Sequence, residues 1–186
     1  TMDIVRNFTP ARITKVVLIT LLGSLVLTIS AKIKIPFYPV PMTMQTFVIL
    51  LIGMTCGYKL GILIVSAYLF EGLIGMPVFA NSPEKGIGII YFTGPTMGYL
   101  IGFLVAVFFS GIFEYKKMFT TFLKLIFSVS FVYFLGLIWL GILIGWEKPL
   151  FKIGAQPFLL AELFKILILV FLSPVLLKFS TLKKII

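Results

Sequence analysis

Apolar residues form six runs along the chain, separated by short connections that carry most of the polar residues. The runs cover about residues 13–31, 43–56, 60–75, 94–113, 119–146 and 157–177. A helix of about 20 apolar residues is long enough to cross a bilayer. The second and third runs are shorter than that, and only Gly57, Tyr58 and Lys59 separate them. The pattern predicts an all-α, polytopic membrane protein in which residues 1–186 form one domain, a bundle of six transmembrane helices.

Three connections fall on one side of this predicted bundle. The connection at 35–41 contains three prolines, which exclude a helix and favour an extended loop. The connection at 76–93 is predicted to be a long loop, in which Gly86 and Gly88 allow the backbone to move as a lid. The third, at 147–154, is a short polar connection.

Basic residues at the ends of the predicted helices are distributed unevenly between the two sides. The side of the termini carries ten of them: Arg6, Arg12, Lys15, Lys59, Lys116, Lys117, Lys124, Lys178, Lys183 and Lys184. The other side carries five: Lys32, Lys34, Lys85, Lys148 and Lys152. Because cytoplasmic connections are enriched in lysine and arginine, both termini are predicted to be cytoplasmic. The formal net charge of +10 then reflects orientation in a lipid bilayer and does not indicate nucleic-acid binding.

Composition excludes several classes of function. Hydrophobic residues make up 60% of the chain and charged residues 12%, against roughly a quarter charged in a soluble domain. The absence of histidine and the single cysteine, Cys56, exclude an intrachain disulfide, a histidine-ligated metal and a histidine-based triad. No phosphate-binding loop is present, so any energy from ATP has to come from another chain. We therefore predict no catalytic residue, no metal and no cofactor.

Small residues recur every four positions in two of the runs. They are Gly53, Gly57 and Gly61, and then Gly94, Gly98, Gly102, Ala106 and Ser110. This spacing places them on one helix face, where a neighbouring backbone can approach closely. The favoured interpretation is packing within the bundle, and the alternative is a docking surface for another membrane subunit.

Glu162 and Lys165 are the most informative charged residues because they lie inside the last predicted helix. Three positions apart, they share a helix face. Glu162 follows the start of the run by roughly 7 Å at 1.5 Å per residue, which places the pair below the outer surface of the membrane. Charges at this depth normally face a partner or a cavity. The pair is therefore either a mutual ion pair without a ligand, or a polar site that binds a carboxylate through lysine and N–H groups through glutamate.

Further candidates for a ligand site come from the outward loops and the helix ends beside them. The polar ones are Tyr38, Gln45, Asn81 and Lys85, whereas Glu71 is expected to face water. The aromatic ones are Phe37, Phe79, Phe92 and Tyr99. An aromatic lining with a few fixed polar groups suits a small, partly apolar ligand.

Four segments in this order resemble motifs of the BioY family, the biotin-specific substrate-binding (S) components of energy-coupling factor (ECF) transporters. Residues 39–46 match P-V-P-x-T-x-Q-T, and residues 68–80 end in P-V-F-A. Residues 94–103 contain G-P-T-x-G-Y-L, and residues 157–165 begin with P-F and end in E-x-x-K. The resemblance covers about residues 11–178.

The resemblance implies a six-helix protein of a prokaryotic plasma membrane that binds biotin near its outer face and delivers it to the cytoplasm. It would work with a transmembrane coupling subunit and two cytoplasmic ATPase subunits. The family's ligand-binding acidic residue, lysine and asparagine match Glu162, Lys165 and Asn81. The resulting hypothesis is that Lys165 holds one polar end of biotin, and that Glu162 and Asn81 hold the other. Biotin suits such a site, since it carries a ureido group with two N–H donors, an apolar bicycle and a carboxylate.

The sequence departs from the family pattern at two places. Glu162 stands where the family usually has aspartate, so the carboxylate is one methylene farther from the backbone. The A-x-x-x-A patch, which S components use on the first helix to dock on the coupling subunit, is absent because Lys15 follows Ala11 by four residues. Docking through a stripe at Thr20 and Ser24 is one alternative.

Three other functions compete with biotin uptake. The first is an S component for another vitamin, and the second is a membrane scaffold in which Glu162 and Lys165 pair without a ligand. The third is an intramembrane enzyme, which would need a nucleophile–base pair or clustered carboxylates. The isolated acids and the absence of histidine argue against that enzyme.

Overall fold

The computed structural model describes residues 10–36 and 38–177. It contains seven helices within these residues: α1 (Pro10–Lys32), α2 (Gln45–Leu73), α3 (Ile89–Phe92), α4 (Met97–Ile112), α5 (Met118–Ile144), α6 (Leu150–Gly154) and α7 (Gln156–Leu176). Two short strands, β1 (Lys34–Ile35) and β2 (Met42–Thr43), lie between α1 and α2. Residues that entered the predictions but lie outside the described part are Arg6, Phe37, Lys178, Lys183 and Lys184.

Helices dominate the fold, as the apolar runs predicted. Four of them, α1, α2, α5 and α7, are long and apolar enough to cross a membrane, and α4 is a shorter apolar helix of 16 residues. The long helices begin and end within a few residues of the predicted runs. The described part of the chain is therefore mostly helical, with four candidate membrane-spanning helices.

Helix α2 reverses its direction at Gly57, where the backbone leaves helical geometry with φ 77° and ψ 172°. Gln45 Nε2 donates a hydrogen bond of 2.8 Å to Tyr68 Oη. A straight helix would separate these two residues by roughly 35 Å. The two halves, 45–56 and 58–73, therefore lie side by side, which accounts for the two separate runs seen in the sequence.

The connections are more structured than the sequence predicted. Strands β1 and β2 pair antiparallel with Lys34 opposite Thr43, so the proline-containing loop is the tip of a small hairpin. The long loop at 76–93 contains the short helix α3, and the polar connection at 147–154 contains α6. Helix α3 follows Gly88, and helix α6 follows Pro149. The periodicity of apolar residues in a sequence does not reveal helices of only four or five residues.

Glycines allow α4 to pack closely between α2 and α5. A Cβ at Gly53 would clash with Ser110 of α4, and a Cβ at Gly102 would lie 2.6 Å from Val132 Cα of α5. Because these faces are occupied by helices of the same chain, the interpretation of the small-residue stripes as internal packing is confirmed. Gly102 is the clearest case, since the atom that a Cβ there would approach belongs to the backbone of α5.

Helix α1 packs against the C-terminal half of α2 through its polar stripe. Thr20 and Ser24 are buried, and Ser24 Oγ donates a short hydrogen bond to Glu71 Oε2. The suggestion that Thr20 and Ser24 dock on a partner was therefore wrong, because α2 of the same chain covers them. Glu71 is half-buried against Ser24 and does not face water alone. The opposite face of α1 exposes apolar side chains such as Leu21 and Leu25.

Candidate ligand-binding site

A cavity lies where the hairpin, α2, the 76–93 loop, α4, α5 and α7 meet, and together with its solvent-filled mouth it encloses about 560 Å³. Its polar lining consists of Thr43, Gln45, Thr46, Thr96, Glu162 and Lys165. Its aromatic lining consists of Phe79, Tyr91, Tyr99, Phe103, Tyr133 and Phe158. A largely apolar wall with a few polar groups is typical of a site for a small organic molecule.

Glu162 and Lys165 form the centre of the polar side of this cavity. Both are buried, with 5% and 6% of their surface exposed, and Lys165 Nζ lies 2.8 Å from Glu162 Oε1. Thr46 Oγ1 donates to the same carboxylate oxygen at 2.7 Å. The i, i+3 spacing on α7 brings the two charges to one face, as predicted, and Thr46 from α2 completes the cluster.

The other carboxylate oxygen, Glu162 Oε2, is buried and accepts no hydrogen bond from any residue in the described part of the chain. The Tyr133 hydroxyl lies near enough to the Glu162 carboxylate to interact with it through charge and a weak hydrogen bond, but it makes no well-formed hydrogen bond to Oε2. Leaving a buried charged acceptor unpaired costs about 1–3 kcal/mol or more. Glu162 thus lines the cavity and keeps one buried carboxylate oxygen without a partner among the described residues.

Lys165 uses all three of its N–H donors within the protein. Besides Glu162 Oε1, its Nζ donates to Thr43 O at 2.6 Å and to Thr46 Oγ1 at 3.1 Å. An ammonium group has three donors. In this arrangement Lys165 ties the hairpin and α2 to α7, and its charge balances Glu162.

Gln45 and Tyr99, two other predicted site residues, line the cavity while their polar groups hold neighbouring elements. Gln45 Oε1 accepts a hydrogen bond of 3.0 Å from Thr43 Oγ1, which fixes the end of the hairpin. Tyr99 Oη donates to Gly154 O at 2.8 Å, so the phenol ring forms part of the wall and its hydroxyl anchors α6.

Aromatic contacts fix the outer wall of the cavity. Phe79 and Tyr91 are stacked with ring centroids 4.7 Å apart. Phe92, a predicted site residue, is half-buried behind Phe79 at 5.4 Å and does not line the cavity. On the inner side, Tyr133 packs edge-on against Tyr99 and face-on against Phe158.

The remaining predicted residues lie nearer the surface, around a second pocket of about 260 Å³. Asn81 and Lys85 line this outer pocket, which shares Tyr91 and Thr96 with the main cavity. Tyr38 is 86% exposed, and Lys85 Nζ lies 5.7 Å from the centre of its ring. Burial raises the pKa of the Tyr91 phenol, so this hydroxyl between the two pockets stays protonated at neutral pH.

Several lining residues were not predicted as site residues. Thr43 and Thr46 belong to the motif at 39–46, which is recognisable in the sequence, but no role in ligand binding was predicted for either residue. Tyr133 lies inside a long apolar run, where nothing in the sequence distinguishes a cavity-facing tyrosine from one facing lipid. No group of three metal-ligating side chains occurs among residues 10–36 and 38–177.

Comparison with known proteins identifies the family. The sequence profile of the BioY family matches residues 4–181. The chain belongs to the BioY family. A probable biotin transporter BioY from Pyrococcus horikoshii is 35% identical over 138 residues, which are 74% of this chain and 81% of that protein. The biotin transporter BioY from Thermotoga maritima is also 35% identical, over 76% of this chain and 83% of its own.

A solved structure shares the fold. The crystal structure of the S-component for biotin from an ECF-type ABC transporter aligns with a TM-score of 0.75 and 28% identity. The alignment covers 92% of this chain and 95% of the other. The resemblance inferred from the sequence motifs is thus confirmed, and BioY membership makes the chain a transporter component and not an enzyme.

Proposed function

We propose that this protein binds biotin in the main cavity and takes it up across the plasma membrane as the S component of an ECF-type transporter. The observation that carries the proposal is Glu162 Oε2, a buried carboxylate oxygen without a hydrogen-bond donor among the described residues, on a side chain that lines a cavity with aromatic walls. The ureido N–H groups of biotin supply the missing donors. The relatives named as biotin transporters support this choice of ligand.

The charges of the site determine the orientation in which biotin binds. A ligand carboxylate beside Glu162 would be repelled, and Lys165 has no free donor with which to compensate it. The ureido end therefore lies at Glu162, and the bicycle packs between Tyr99 and Phe158 on the cavity wall. The carboxylate points outward to the second pocket, where Lys85 carries a positive charge.

The other predicted residues support this arrangement from their observed positions. Asn81 offers its amide to the outer end of biotin, and Gln45 keeps the hairpin in place through Thr43. Phe92 supports the Phe79 wall, and Tyr38 covers Lys85 at the mouth. One extra methylene in Glu162, compared with the family aspartate, brings the carboxylate within reach of Thr46 on α2.

Uptake requires partners, because the cavity opens beside the outward loops and the chain carries no ATP-binding motif. A transmembrane coupling subunit and two cytoplasmic ATPase subunits supply the energy and the conformational change. Biotin is captured outside the cell and released to the cytoplasm, without a reaction and without a cofactor. The solved relative described as part of an ECF-type transporter supports this assembly.

The proposed topology has six membrane crossings with both termini in the cytoplasm. Helices α1, α4, α5 and α7 account for four of them, and the two halves of α2 for the other two. At 1.5 Å per residue these halves are roughly 18 and 24 Å long, shorter than the roughly 30 Å apolar core of a bilayer. The outer loops therefore reach below the membrane surface and close the cavity there. Accessibility of introduced cysteines tests this topology.

Calorimetric titration of the purified protein in detergent tests the choice of ligand. Biotin is expected to bind tightly and near one-to-one, whereas thiamine and riboflavin, added as controls, are expected to give no heat of binding. Binding of thiamine or riboflavin instead would make the chain an S component for another vitamin. Folded protein that binds none of the three would be a scaffold in which Glu162 and Lys165 form a structural ion pair.

A further inference from the structure

Two lysines that play no part in the proposed ligand contacts hold one wall of the site. Lys32 Nζ, at the end of α1, donates to Phe79 O and Ser82 O, each at 2.8 Å. Lys34 Nζ, on β1, donates to Ala80 O at 2.7 Å and to Asn81 Oδ1 at 3.1 Å. Two cations, one at the end of α1 and one on β1, thus bind the segment 79–82.

This segment forms part of both pockets. Phe79 and Ala80 line the main cavity, and Asn81 lines the outer pocket. The backbone N–H of Asn81 also donates a long hydrogen bond of 3.4 Å to Tyr91 Oη, between the two pockets. A change in how the lysines hold the segment is therefore transmitted to the groups that face a ligand.

The contact between Lys34 and Asn81 fixes the direction of an amide. The two ends of an asparagine amide are similar in shape and opposite in hydrogen bonding, since the oxygen accepts and the nitrogen donates. A lysine ammonium can only donate, so it selects the oxygen. With Oδ1 bonded to Lys34, the Nδ2 donor of Asn81 has no acceptor within the described part of the chain and is available to a ligand.

We propose that Lys34 is a positioning residue, which holds the Asn81 amide with its N–H groups toward the acid end of the ligand. The inference rests on the proposed function, in which the biotin carboxylate lies in the outer pocket. An ionised carboxylate has only hydrogen-bond acceptors, so an Asn81 amide turned the other way would place its own acceptor oxygen against the carboxylate. Lys34 acts through Asn81 and does not contact biotin itself.

A double-mutant cycle tests this coupling by biotin titration of Lys34→Met, Asn81→Ala and the double variant. Lys34→Met is expected to weaken biotin binding about fivefold, which is the change in Kd expected from the loss of one ordinary hydrogen bond. The double variant is expected to bind no more weakly than Asn81→Ala alone, because Lys34 has nothing left to position. Lys34→Arg, which keeps a donor for Asn81, is expected to retain most of the affinity. Lys152→Met is the matched control, since Lys152 is an exposed outward lysine away from both pockets.

The outcomes separate this inference from the proposed function. If the unaltered protein does not bind biotin, the proposed function fails. If it binds biotin and Lys34→Met binds equally well, or the effects of Lys34→Met and Asn81→Ala simply add, the positioning role is refuted. Thermal unfolding without biotin shows whether each variant is folded.

A further variant covers the case in which Lys34→Met does not fold. Asn81→Asp keeps an acceptor for Lys34 and so preserves the contact with the segment, but it removes the N–H donors. It is expected to weaken biotin binding by about fivefold or more. Unchanged affinity in Asn81→Asp would show that Asn81 serves only as a structural partner of Lys34, which also overturns the proposal.

Discussion

Replacing Glu162 by glutamine keeps the shape of the buried cluster and changes what it can accept. In the present structure Oε1 accepts from Lys165 and Thr46, and Oε2 remains for the ligand. A glutamine amide has one oxygen and one nitrogen, so it cannot satisfy both sides. If its oxygen faces Lys165 and Thr46, its NH₂ group opposes the ureido N–H donors. If the amide is reversed, Lys165 loses one of its three acceptors, and Thr46 loses the oxygen to which it donates.

Either orientation removes one buried acceptor, which costs about 1–3 kcal/mol. We therefore expect Glu162→Gln to weaken biotin binding by roughly five- to 150-fold, since 1.4 kcal/mol corresponds to tenfold. Calorimetric titration in detergent measures the change in Kd directly. Size-exclusion chromatography and circular dichroism establish that the variant keeps its fold.

Glu71→Gln is the matched control, because Glu71 is also a carboxylate in a predicted membrane helix. It accepts a hydrogen bond from Ser24 and does not line either pocket. Glu71→Gln is expected to bind biotin as the unaltered protein does. An unchanged Kd in folded Glu162→Gln would remove Glu162 from the binding site and refute the account of Oε2. Equal losses in both variants would indicate a general effect on the bundle.

Two further predictions concern the cavity wall and the topology. Tyr99→Phe should leave the biotin Kd unchanged, because the hydroxyl donates to Gly154 O and not to the ligand. Loss of that hydrogen bond should lower the free energy of unfolding by about 0.5–1.5 kcal/mol. A large loss of affinity without loss of stability would contradict this prediction. A membrane-impermeant maleimide should label Lys148→Cys in intact cells and Lys117→Cys only after lysis, with the buried Cys56 giving little background. The opposite labelling pattern would reverse the proposed orientation.

The sequence predicted the helices and the shared helix face of Glu162 and Lys165 because both depend on local spacing. Apolar runs of sufficient length indicate membrane helices, and i, i+3 spacing places Glu162 and Lys165 on one face. Gly57 to Lys59 interrupted the apolar pattern at the point where α2 reverses. These features require no knowledge of how the helices pack.

The rest of the site depends on contacts between elements that are distant in sequence. Tyr133 lines the cavity because of the rotation of α5, which a uniformly apolar run does not reveal. Thr46 meets Glu162 across 116 positions. Lys32 and Lys34 entered the prediction only as charges at a membrane surface, whereas the structure shows their ammonium groups on the carbonyl oxygens of the 79–82 segment. Such pairings follow from tertiary packing, which spacing alone does not encode.

The central claim is that the unpaired oxygen of Glu162 receives the ureido group of biotin. An experimental structure of the protein with biotin bound tests it most directly, through the distance from Glu162 Oε2 to the nearest ligand atom. We expect a ureido nitrogen at about 2.7–3.2 Å from Oε2, with the carboxylate of biotin toward Lys85 and Asn81. Biotin bound in the reverse direction, or bound outside this cavity with Glu162 Oε2 still unpaired, would contradict the account.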